Sequence, residues 1–259
     1  MLLCHCTGTL GRVWDPVARR MPEGLRILAP DTRGQGDSEA PDDREAYAWF
    51  RSGEDLRAIL HGLSIRGSVT AVGHSAGAAH VAYAALSASS NDDHPSLGSL
   101  ILIDPIIAPP GTFGGNNPLS EKVRYRRNDF DSIEAAHERL GSKPPMNTWH
   151  PEALEAYLAH AFRPDGAGVT LKCPGAREAW FYELGGASDA FERLGEIAVP
   201  TLVVTGSESY VAPLADVQHQ SIPGSRLHTV AGAGHFIPQE RPEEIAALIQ
   251  EFMPPESTR

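Results

Sequence analysis

Several things are scarce in this sequence, and each scarcity excludes a class. Only three of its 259 residues are cysteine, Cys4, Cys6 and Cys173. That is too few for a disulfide framework, and Cys4-x-Cys6 lacks the second ligand pair a zinc site needs, so reduced thiols and no metal are expected. Basic residues are outnumbered: 22 Lys+Arg face 33 Asp+Glu, a formal charge of −11 with a pI near 5.4. The cationic surface that neutralises nucleic-acid phosphates or docks on anionic lipid is missing, so neither partner is expected. No apolar run reaches the roughly 18 residues of a membrane span. Met1 to His5 has neither the basic start nor the apolar length of a secretory leader, which points to a soluble cytoplasmic protein. With 41% hydrophobic residues, the chain is long enough for one sizeable core, alone or with an insertion.

What is present is an alternation of short apolar runs with helical patterns. Strands are expected at Leu2 to Cys6, Leu25 to Ala29, Ser68 to Val72, Leu100 to Ile103, Thr201 to Thr205 and Arg226 to Val230. Between them, Arg12 to Met21 and Glu54 to Leu63 read as helices. So does the stripe Ile245, Leu248, Ile249, Phe252, which opens on Pro242 and is stopped by Pro254-Pro255. Such alternation predicts an α/β fold, a mostly parallel sheet flanked by helices. The spacing breaks between Ile103 and Thr201. That stretch holds helical segments near Ser132 to Leu140, Pro151 to Phe162 and Ala176 to Leu184, with no convincing strand. It reads as a helical lid, residues 105–199, inserted after the fourth strand into a core of 1–104 and 200–259. Its borders are rich in Pro and Gly, at Pro105 through Pro118 and at Gly185-Gly186. Ser87 to Ser96 reads as a polar surface loop.

Gly73-His74-Ser75-Ala76-Gly77 follows the strand Val69 to Val72 and precedes a helix-forming run from Ala78 to Leu86. Strand, sharp turn and helix are the context a G-x-S-x-G nucleophile elbow requires, and there Ser75 is the candidate nucleophile. A serine hydroxyl attacks well only when a base takes its proton. Of the 11 histidines, His235 is favoured, because Gly232-Ala233-Gly234-His235 follows the last strand and precedes the terminal helix. His74 is expected to pack beside the elbow and His5 to organise the first loop, both at the edge of substrate binding.

These residues, in this strand order, resemble the α/β-hydrolase superfamily through essentially the whole chain. His5-Cys6-Thr7-Gly8 stands where a His-Gly-x-Gly type loop is usual, and Asp31-Thr32-Arg33-Gly34-Gln35-Gly36-Asp37-Ser38 is similar to the family's D-x-R-G-x-G-x-S loop. The latter reads as a structural turn with Arg33 and Asp37 in local hydrogen bonds. The resemblance implies an oxyanion hole from the backbone N–H groups of Ala76 and Thr7, although Cys6 stands at a usual glycine position. It also implies no cofactor. The family's G-x-x-D acid is absent: Gly206-Ser207-Glu208-Ser209 has serine in that place. Asp104, at the end of the strand Leu100 to Ile103, is the favoured triad acid, and Glu208, one residue out of register, is the alternative. The usual N-terminal hairpin is also missing before Leu2, which predicts either a sheet of about six strands or a truncated start, with an exposed edge that favours association. A monomer or a homodimer fits.

The insertion carries Phe113, Tyr125, Phe130, Trp149, Tyr157, Phe162, Trp180, Phe181 and Tyr182. Most are expected to pack the lid, with Trp149 and Trp180 the candidates to meet an apolar, ester-like small molecule. Arg124, Arg126 and Arg127 are expected to pair with Asp129, Asp131 and nearby acids on a solvated face. The function these features imply is a serine hydrolase of esters, lactones or related acyl compounds. The alternatives are a non-catalytic binding protein on the same fold and a cofactor-free C–C hydrolase.

Overall fold

The structure is a computed structural model and describes residues 1–87, 96–112, 117–185 and 189–253. Phe113, Gly186, Pro254-Pro255 and most of the loop between Ser87 and Ser96 lie outside those residues. Five parallel strands, β1 (Leu2–Cys4), β2 (Ser68–His74), β3 (Ser96–Ile103), β7 (Thr201–Gly206) and β8 (Arg226–Val230), form one sheet in the order β1-β2-β3-β7-β8. The three intervening strands, β4 (Asp129–Phe130), β5 (Phe162–Asp165) and β6 (Gly168–Leu171), form a separate antiparallel sheet in the order β4-β6-β5.

Both faces of the parallel sheet are covered, which is why its strands read as unbroken apolar runs rather than alternating ones. Leu3, Val72, Ile101, Ile103, Leu202 and Val204 point to one side and pack on Val13, Trp14, Val17 and the helix α10 (Pro242–Phe252). Leu2, Cys4, Ala71, Leu100, Leu102 and Val203 point to the other, against α2 (Trp49–Gly62) and α3 (Ala76–Leu86). Neighbours in sequence thus fill opposite cores, the period-2 consequence of a pleated strand.

The expected strand Leu25 to Ala29 forms only an isolated bridge: Leu28 pairs with Leu2, through Leu3 N to Leu28 O at 2.8 Å and Leu28 N to Met1 O at 2.9 Å. Pro30, which has no N–H to donate, ends the pairing. The insertion therefore follows the third strand of the sheet rather than the fourth. Arg12 to Met21 is a 3₁₀ turn (Gly11–Trp14) and a single turn of helix, α1 (Asp15–Ala18), rather than one helix.

The insertion holds the expected helices, α5 (Ile133–Gly141), α6 (Pro151–His160) and α7 (Gly175–Gly185), with a shorter α4 (Pro118–Arg124) before them. It also holds the small antiparallel sheet. The missed signal is Asp165-Gly166, with Gly166 at φ 57° between β5 and β6, a hairpin turn between strands too short and too polar to show alternation. Toward the C-terminus α8 (Ala212–Ser221) and α9 (Ile237–Glu240) complete the fold. Among the described residues no helix is long and apolar enough to cross a membrane.

Candidate active site

Parallel strands deliver their following loops to one edge, so residues distant in sequence meet there. Ser75 follows β2, Asp104 follows β3, Ser209 follows β7 and His235 follows β8. Ser75 has φ 59° and ψ −121°, outside the ordinary regions for a side-chain-bearing residue. The turn closes only because its flanks are glycine. A Cβ on Gly73 would fall 2.3 Å from the Gly77 carbonyl oxygen, and one on Gly77 2.4 Å from that of Cys4. Ser75 N donates to Ile103 O at 2.9 Å, which ties the elbow to the neighbouring strand.

His235 Nε2 lies 3.0 Å from Ser75 Oγ, and its Nδ1 lies 2.5 Å from Asp104 Oδ2. All three side chains are buried, Asp104 completely. The Asp104 carboxylate, held at φ 46°, also accepts hydrogen bonds from Thr205 Oγ1 at 2.8 Å and, in a very short contact, from Ser209 Oγ. The serine in the usual acid place thus donates to the carboxylate that arrives from β3. Glu208 is exposed; its N–H bonds Ala233 O at 3.0 Å and its side chain takes no place in this chain of contacts.

His74 and His5 are fully buried and hydrogen-bonded rather than free groups. His74 Nε2 donates to the His235 carbonyl at 2.8 Å, and burial pushes its imidazole down to about 3, so it stays neutral. His5 accepts the Thr32 N–H on Nε2 at 3.0 Å and donates from Nδ1 to Cys6 O at 2.9 Å, and burial lowers it too. The Asp31 to Ser38 loop buttresses the first loop: Asp31 accepts from Gly11 N at 2.7 Å, and Gln35 Oε1 from Gly8 N at 2.5 Å. Arg33 pairs with Asp55 at 2.6 Å. Asp37 donates its N–H to Asp31, while its carboxylate meets Lys172 of the insertion at 2.6 Å. Ala76 opens α3, and Thr7, buried, has its Oγ1 without a hydrogen-bond partner.

Trp149 is buried between Tyr157 and Phe236, the neighbour of His235, whereas Trp180 packs on Tyr47. Sequence reasoning missed Tyr210, whose ring centroid is 4.8 Å from that of His235, and Ser209 and Thr205 as partners of Asp104. The position of Ser209 in the G-x-x-S register was the available signal. The arginine cluster pairs differently from expectation: Arg124 with Glu183, Arg126 with buried Glu178 at 2.8 Å, and Arg127 with the Asp129 backbone carbonyl. Glu178 on α7 faces the first loop so closely that a Cβ on Gly8 would meet its Oε1 at 2.5 Å. Burial raises its carboxyl, with Arg126 and the Tyr182 hydroxyl pulling it back. A groove of about 490 Å³ between the 30–41 segment and α2 is lined by none of Ser75, His235 or Asp104. Among the described residues no group of His, Cys, Asp or Glu is placed to hold a metal ion.

A parallel sheet with these connections, a strained serine at one strand end and a histidine from the last define the α/β-hydrolase fold. The alpha/beta hydrolase family matches residues 1–248, and the chain belongs to it. The chain is 25% identical over 256 residues to 2-(acetamidomethylene)succinate hydrolase of Mesorhizobium japonicum, spanning 98% of this chain and 87% of that protein. It is 28% identical over 270 residues to the lipase LipV of Mycobacterium tuberculosis, spanning 98% and 93%. A crystal structure of E-2-(acetamidomethylene)succinate hydrolase is similar with a TM-score of 0.80 at 21% identity, over 97% of this chain and 90% of that one.

Proposed function

We propose that this hydrolase-family protein cleaves a carboxylic ester, lactone or related acyl compound through an acyl-enzyme on Ser75. The observation that carries the reading is the continuous contact from Ser75 Oγ through His235 to Asp104. His235 Nε2 takes the proton of Ser75 as Oγ attacks the carbonyl carbon. The carbonyl oxygen gains the negative charge, and the N–H groups of Ala76 and Thr7 receive it, each donor contributing roughly 3 kcal/mol to the transition state. The intermediate collapses, the C–O bond to the alcohol breaks, and His235 returns the proton to the leaving oxygen. Water, deprotonated by the same nitrogen, then releases the acid and restores Ser75. Asp104 fixes the tautomer with the proton on Nδ1 and stabilises the imidazolium. Residues 105–199 act as the lid that shields this chemistry and shapes the acyl pocket.

The test is a fluorophosphonate probe with a panel of short-chain p-nitrophenyl esters, lactones and β-diketones. Wild-type protein is expected to be labelled once, at Ser75, and to turn over an ester or a lactone, while Ser75→Ala loses labelling and turnover together. Turnover retained in Ser75→Ala, or ligand binding in the wild type with no acyl-enzyme by mass spectrometry, overturns the assignment.

A further inference from the structure

Two hydroxyls attend the Asp104 carboxylate, and they are not equivalent. Thr205 on β7 donates to Oδ1, whereas Ser209 donates to Oδ2, the oxygen that also meets His235 Nδ1. Ser209 is itself held. Its Oγ accepts the Val211 N–H at 3.2 Å, its own N–H binds Gly206 O at 3.1 Å, and its side chain is buried. A carboxylate whose two oxygens are both met by fixed donors has little freedom to rotate about its Cβ–Cγ bond, so its remaining acceptor direction is set. Facing this pair are the Ser75 hydroxyl at the elbow, the His74 imidazole at the end of β2 and, next to Ser209 on its own loop, the Tyr210 phenol beside the His235 ring.

Resting on the reading of Ser75, His235 and Asp104 as a triad, we propose that Ser209 is its positioning residue, aligning Asp104 Oδ2 with His235 Nδ1 from the place where a carboxylate would otherwise stand. The hydroxyl also draws charge from Oδ2. That hydrogen bond is strongest while the imidazole is neutral, because an imidazolium already claims part of the same charge.

The experiment is the pH profile of kcat/KM for the intact chain on its best p-nitrophenyl ester, normalised to active sites titrated with the fluorophosphonate. Ser209→Ala is expected to lower kcat/KM about tenfold and to move its acid limb upward by about half a pH unit. Ser209→Cys, near in size but a weak donor, should do the same and carries the test if the alanine variant does not fold. Ser209→Thr, which keeps the hydroxyl, should retain the wild-type limb and stay within about threefold of its rate. A wild-type limb and rate per active site in both the Ala and Cys variants overturns the proposal even if their Tm falls, because a merely structural role lowers stability without moving the limb. Turnover surviving in Ser75→Ala instead removes the triad reading itself, a separate result.

Discussion

Asp104 reaches His235 from a left-handed backbone, with its N–H bonded to Val204 O at 2.7 Å. Aspartate tolerates that conformation better than most residues because its short side chain finds local partners. Fully buried, it has three donors arranged around it: Thr205, Ser209 and the His235 N–H. Asp104→Asn replaces an acceptor with an amide that favours the wrong imidazole tautomer. It is expected to reduce kcat by on the order of a thousandfold or more. Glu208→Gln changes an exposed side chain and should alter kcat by less than about twofold. Steady-state kinetics of the two variants with matched Tm checks the ranking, and the reverse order transfers the acid's role to Glu208.

At the scale of elements, the insertion meets the core through charge as well as apolar packing. α7 sets Glu178 against Gly8 of the first loop, and Arg126, just past α4, supplies the opposing charge at 2.8 Å. Arg126 Nη2 also donates to the Cys173 carbonyl at 2.9 Å. An unpaired carboxylate there would be buried against the first loop, beside Gly8. Arg126→Met is therefore expected to destabilise the fold by about 3 kcal/mol, the cost of stranding the buried Glu178 carboxylate without its half-buried partner. Adding Glu178→Gln should restore more than half of that loss. Urea unfolding of the single and double variants measures the coupling, and simple additivity of the two substitutions rules it out.

For the whole molecule, burial of three histidines ties stability to pH. His5, His74 and His80 are all lowered by burial, His74 and His80 to about 3. The unfolded chain takes up these protons as pH falls below about 6.5, whereas the folded chain does not. Their contribution is therefore fully present above that pH and is lost on acidification, each histidine removing up to about 1.4 kcal/mol per pH unit. Tm should fall between pH 6.5 and 5, before most carboxylates titrate. A Tm flat to pH 5 in scanning calorimetry contradicts this. The decline should weaken in His80→Asn, whose ring is remote in role from Ser75 and contacts Cys4 and Trp49 instead.

The sequence by itself determined the elbow, the histidine after the last strand and the parallel core, because each is a local pattern: glycines where no Cβ fits, apolar runs long enough to be covered on both faces, a glycine-rich turn before a helix. It also carried Asp104 as a candidate, since a carboxylate closing a buried strand stands out. Only the tertiary structure decided how that carboxylate is held, because Thr205 and Ser209 lie about a hundred residues away and parallel strand order alone makes them neighbours. The small sheet in the insertion, the single bridge at Leu28 and the Arg126–Glu178 pair were illegible for the same reason. Each rests on long-range pairing of segments too short or too polar to announce themselves by periodicity.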